Sequence, residues 1–97
     1  MNQQLNTSQS KSPTTPRLMR INAVTERTAT PKSSIYASAA KGEFTRPIKL
    51  GERSSAWLES EVTAIINARI AGKSTAEIKA LVIELEAQRL NACEVAA

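Results

Sequence analysis

Side-chain catalysis needs a group that exchanges protons near neutrality, or a nucleophile with a base beside it, and this chain offers little of either. It has no histidine and no aspartate, so such work would fall to nine glutamates, thirteen lysines and arginines, and a single tyrosine. Serines and threonines are plentiful, but none stands in a strand-turn-helix nucleophile setting. Three glycines, well separated, make no loop that could cradle a phosphate. Cys93 is the one cysteine, which excludes an intrachain disulfide and a cysteine-built metal site. The expectation is a protein that is not an enzyme, with no cofactor, no metal and no small-molecule substrate.

What the ionisable residues do offer is charge gathered at one end. Residues 1–57 carry Lys11, Arg17, Arg20, Arg27, Lys32, Lys41, Arg46, Lys49 and Arg53 against Glu26, Glu43 and Glu52, nine against three, a net of +6. Residues 58–97 carry four cations against six glutamates, a net of −2, which completes the overall +4. A phosphate-binding surface leaves this kind of segregation, because each cation seated on a phosphate releases condensed counterions. A merely solvated basic face is the alternative. No run of apolar residues is long enough for a membrane span, and the first seventeen residues lack an apolar core behind a basic start. A cytoplasmic location and no membrane contact are therefore expected.

Placing those cations requires elements, and a chain this short supports one small core with tails. Residues 1–17, MNQQLNTSQSKSPTTPR, offer Leu5 and little else to bury, so they are expected to form a disordered tail. A helix is predicted over Ile21–Thr28 with Asn22 able to cap it. A second is predicted from Pro31 to about Lys41, capped by the Thr30 oxygen and ended by Gly42. In the following segment, Arg46 to Trp57, Ile48 and Leu50 alternate with Lys49, a hairpin pattern that should lay Ile48, Leu50 and Trp57 over the helices. Leu58–Ala71 shows Leu58, Val62, Ile65, Ile66 and Ile70 at helical spacing, and Gly72 breaks it. Ser74 and Glu77 have capping-box spacing and open a last helix to about Asn91. Its stripe of Ile78, Leu81, Val82 and Leu85, with Ile83 and Leu90 off it, must pack back on the domain or pair with a second copy.

Helix, turn, helix, basic hairpin, helix is the order of a winged helix-turn-helix, so the fold class is mainly α with a small β-hairpin. Residues 18–71 would be the DNA-binding domain and 72–97 a C-terminal helix for packing or self-association. In such a module the second helix enters the major groove and the hairpin reaches a phosphate strand or the minor groove. If Ile35 and Ala39 face the core, then Lys32, Ser33, Tyr36 and Ala37 lie outward, and Ser34 and Lys41 are further candidate DNA contacts. Lys32 could donate to a guanine or a phosphate, and Tyr36 could hold a phosphate or pack half-buried. Arg46, Lys49 and Arg53 are candidate phosphate contacts from the hairpin. Trp57, between a strand and a helix start, is expected in the core.

The run Lys41-Gly-Glu-Phe-Thr-Arg-Pro-Ile-Lys-Leu-Gly-Glu-Arg-Ser-Ser-Ala-Trp-Leu-Glu-Ser-Glu-Val62, continued by Ala-Arg-Ile-Ala71 and preceded by Ser-Ser-Ile-Tyr36, resembles the AlpA-type prophage regulators. The resemblance spans residues 18–71 and implies a MerR-like winged helix-turn-helix that binds operator or attachment-site DNA. It implies double-stranded DNA as partner, with a homodimer or an integrase as further partners. Such proteins activate an integrase gene or act as excisionase-like factors that bend DNA. The departures cluster at the second helix. Ala29-Thr30-Pro31 stands where the family usually has Gly-Leu-Ser, Ala37 where a long basic side chain follows the Tyr, and Ser38 and Ala39 where bulky apolar residues follow. Small residues at 38 and 39 are expected to underfill the core. From another class, a protein-interaction module using the C-terminal helix is the competing expectation.

Overall fold

The computed structural model describes residues 16–96, with side chains described over 16–90. The tail expected over 1–17, apart from Pro16 and Arg17, and the side chain of Cys93 lie outside these residues. The first element is a strand that the sequence did not announce: β1 (Leu18–Met19), followed by helix α1 (Ile21–Thr28) and helix α2 (Lys32–Ala40). Strands β2 (Ile48–Lys49) and β3 (Ser55–Leu58) lead into helices α3 (Glu59–Ile70) and α4 (Thr75–Ala96). The result is mainly helical with a small antiparallel sheet, a winged helix-turn-helix-like arrangement.

The sheet has three strands rather than the two of a hairpin, in the order β1-β3-β2. β3 pairs with β2 through Ile48↔Ala56 and Lys49↔Ser55, and with β1 through Leu18↔Leu58 and Met19↔Trp57. The Glu59 N–H extends the second ladder by donating to the Arg17 carbonyl at 2.8 Å. A two-stranded hairpin is marginal by itself, and the added edge strand gives β3 partners on both sides.

The helix starts differ from expectation. The N-cap of α1 is Arg20 and that of α2 is Pro31, and neither start carries a side-chain cap hydrogen bond. Asn22 lies inside α1. The Thr30 hydroxyl donates to the Thr28 carbonyl at 2.9 Å instead of accepting from α2, because Pro31 occupies the cap and leaves Thr30 one residue outside it. The helix ends obey one rule. After α2, Gly42 (φ 81°) donates to the Ala39 carbonyl and Glu43 to that of Ser38; after α3, Gly72 (φ 78°) donates to Arg69 and Lys73 to Ala68. These are Schellman closures, which need a left-handed residue. After α1 that residue is Ala29, at φ 55°. The predicted capping box of α4 is present, with the Ser74 N–H on Glu77 Oε1 at 2.8 Å and the Glu77 N–H on Ser74 Oγ at 3.2 Å.

The core is built on Val24, Ile35, Phe44, Trp57, Val62 and Ile65, and α4 extends it with Ile78 and Val82 while Leu81 and Leu85 pack at its edge. Each of Val24, Ile35, Val62 and Ile65 is fully buried and contributes roughly 2 kcal/mol. Trp57 is buried as expected, and its indole N–H donates to the Thr45 carbonyl at 2.9 Å, which ties β3 to the loop after α2. Leu50 is not over the helices. It is 48% exposed at the wing tip, because β2 ends at Lys49 and the chain turns away before the alternation can return Leu50 to the core.

Among the described residues one ion pair is mostly buried. Glu61, 3% exposed, accepts from Arg89 Nε at 2.8 Å and Nη2 at 2.7 Å, and the same guanidinium reaches the Arg46 carbonyl at 2.8 Å. α4 is thereby fastened to α3 and to the base of the wing together. The hydrogen bonds to Glu61 raise the Arg89 pKa against the opposing effect of burial.

Candidate nucleic-acid interface

α2 presents two faces. Ile35 and Ala39 are buried, whereas Lys32, Ser33, Tyr36, Ala37 and Ala40 are exposed, so the outward row is the one the helical period requires. Ser34 and Ser38 are half-buried at its margins, and Lys41 is exposed just past the C-terminus. Tyr36 is both anchored and open. Its ring lies 5.7 Å from that of Trp57 at a tilt of 60°, while 41% of the residue faces solvent. The pair brings α2 alongside the wing strand β3. Among the described residues the Tyr36 hydroxyl has no hydrogen-bond partner.

The wing is the β2–β3 connection. The Leu50 N–H donates to the Ser54 carbonyl at 2.7 Å, closing a tip in which Leu50, Gly51, Glu52 and Arg53 are exposed. Lys49 and Arg53 project from it, exposed and in no ion pair among the described residues.

Arg46 is held differently. Its Nη2 lies 3.0 Å from Glu86 Oε1, and its backbone N–H donates to Glu86 Oε2 at 2.9 Å. Partial burial pushes the Glu86 carboxyl up, but these bonds outweigh it and hold the group below the ordinary glutamate value. The Arg46 side chain remains mostly exposed, yet its charge is shared with α4.

Pairing of this kind redistributes the basic half of the sequence. Arg17 and Arg27 both lean on Glu59, at 3.5 and 3.3 Å, and Arg27 also donates to Thr63 at 2.9 Å. The cations without an ion pair among the described residues of the first half are Arg20, Lys32, Lys41, Lys49 and Arg53. Their places on the second helix and the hairpin mark four of these as candidate contacts in the sequence, whereas Arg20, exposed at the N-cap of α1, lies on neither. Asn22, which the sequence offers as the cap, hides the place of Arg20 at the helix start.

The small residues at 38 and 39 leave space beside them. Ser38 lines a groove of about 340 Å³ with Ile35, Phe44, Ile65, Ile66 and Ile70, and Ala39 lines another between α2 and α4. Both grooves are open to solvent beside α2, and neither is a void within the core.

Two short helices joined across Ala29–Pro31, a three-stranded sheet with an exposed basic tip, and a helix closing the core define a small winged helix-turn-helix-like protein. The chain belongs to the family described as Prophage CP4-57 regulatory protein (AlpA), whose model matches residues 17–70. It is similar to the uncharacterized protein ORF88 of Enterobacteria phage P4, 42% identical over 57 residues, which cover 59% of this chain and 65% of the phage protein. No solved structure matches. The matched segment contains every element from β1 to α3, and α4 lies beyond it. No helix among the described residues is long and apolar enough to cross a membrane.

Proposed function

We propose that this protein is a DNA-binding transcriptional regulator of a prophage or mobile element, acting on integrase expression or on excision. The observation that carries the reading is the set of exposed cations without ion pairs among the described residues: Lys32 on the outward row of α2, Lys41 just past its end, and Lys49 and Arg53 on the wing. In this reading Lys32 and Ser33, in the first turn of α2, meet base edges, with Ser34 beside them. The Tyr36 hydroxyl takes a phosphate while its ring stays on Trp57. Lys49 and Arg53 grip a phosphate strand and supply affinity without base identity, and Arg46 contributes less because Glu86 holds it.

A bending, excisionase-like role is the second reading, and Leu50 favours it. An apolar side chain exposed between two cations on a wing tip is suited to wedge into a minor-groove step and kink the duplex. The test is an electrophoretic shift on duplex DNA from upstream of an adjacent integrase gene, repeated at raised salt. A shift at low salt that weakens as salt rises is expected, and no shift at low salt would sink the proposal. Excision by the cognate integrase, with and without this protein, separates regulator from excision factor and shows whether integrase is a partner.

A further inference from the structure

The stripe that faced a choice between packing and pairing has been used for packing, since Ile78 and Val82 are in the core. The opposite side of α4 carries a second apolar pattern. Ala76, Ala80, Ile83, Ala87 and Leu90 follow one another at alternating steps of four and three, and all five are exposed. Ile83 and Leu90 are each 70% exposed, among the largest uncovered apolar residues described. Steps of four and three are the spacing of a coiled-coil seam, in which Ala80 and Ala87 take the a positions and Ile83 and Leu90 the d positions. A helix that only needed to cover a core would have polar residues here.

The charges beside the seam select the occupant and its direction. The flanking e positions are Glu77 and Glu84, and the g positions are Lys79 and Glu86. In a parallel pair of identical helices, each g residue meets the e residue five positions further along the other helix, so Lys79 meets Glu84 of the second copy, twice by symmetry. Glu86, the other g residue, already shares its charge with Arg46. An antiparallel pair would set e against e, bringing glutamates together, and g against g, where Lys79 would meet a Glu86 already held by Arg46. We propose that α4 pairs in parallel with α4 of a second copy of this chain, along Ala80, Ile83, Ala87 and Leu90. The pairing goes beyond the DNA-binding reading, with which it is compatible through a two-fold arrangement of the reading helices. Alanine at the a positions and a short seam make it a weak association, read at high concentration.

Sedimentation equilibrium of the full chain from about 10 to about 500 µM tests this. The weight-average mass is expected to rise from one chain towards two. Ile83→Lys and Leu90→Lys, both at exposed positions and checked for retained helicity by circular dichroism, should hold the mass at one chain throughout. Glu84→Lys alone should weaken pairing by roughly two- to tenfold by setting lysine against Lys79, and adding Lys79→Glu should restore it. A single-chain mass at every concentration, a dimer indifferent to Ile83→Lys, or a dimer strengthened by Glu84→Lys would overturn the proposal. A gel shift with Ile83→Lys on a short duplex keeps the two claims separate, because loss of pairing leaves single-copy DNA contacts in place.

Discussion

Lys49 and Arg46 sit three residues apart, yet one extends freely from the wing and the other is held by Glu86. The same substitution should therefore act differently at the two positions. Lys49→Ala or Arg53→Ala is expected to weaken binding of all duplexes alike and to lower the slope of log affinity against log salt by about 1 each, measured by fluorescence anisotropy. Lys32→Ala, at the first turn of α2, should instead change the ranking among sequences. A second residue-scale consequence concerns Ala29, which takes the left-handed conformation that glycine takes at the ends of α2 and α3. A Cβ in that region is strained, so Ala29→Gly should stabilise the fold by about 1 kcal/mol, read as a rise in the denaturation midpoint.

At the scale of elements, legibility in the sequence followed the range of the interactions. The α4 capping box, the glycine closures at 42 and 72 and the α3 stripe rest on residues within a turn of one another, and the pattern exposed them. β1 was invisible because a two-residue strand has no period, and it exists only through pairing with β3, some forty residues away. Leu50 was misplaced for the same reason, since alternation does not say where β2 ends. The outward face of α2 was legible from Ile35 and Ala39 alone, but the withdrawal of Arg46 was not, because Glu86 comes from another element. The fastening of α4 yields two expectations. Arg89→Ala leaves Glu61 buried and uncompensated and should cost about 3 kcal/mol in urea unfolding, near the low end for buried pairs because Arg89 is partly in water. The Glu86 carboxyl, partly buried but held below its ordinary value by Arg46, contributes stability that is full above the unfolded glutamate pKa, near pH 4, and is lost as pH falls through the folded value. Thermal melts from pH 6 down to pH 3 should show this loss in the wild type and less of it in Glu86→Gln.

For the molecule as a whole, the acidic back half is not a separate surface but the set of partners that fixes part of the basic front half. Glu59 holds Arg17 and Arg27 and Glu86 holds Arg46, while within the back half Glu61 holds Arg89 across α3 and α4. Among the described residues of the front half, the cations left outside ion pairs are thereby gathered at α2, the wing and Arg20. Because α4 supplies Ile78 and Val82 to the core, a chain ending after Gly72 should lose stability as well as any pairing, and its DNA binding should fall for that reason. The most direct measurement of the central claim is the affinity of the intact chain for a mixed-sequence duplex across a salt series, beside Lys49→Ala/Arg53→Ala. With three to five cations on phosphates, a slope of roughly −3 to −5 is predicted, and the double variant should bind more weakly with a slope shallower by about 2. Binding absent at low salt, or a double variant with unchanged affinity and slope, would contradict the account.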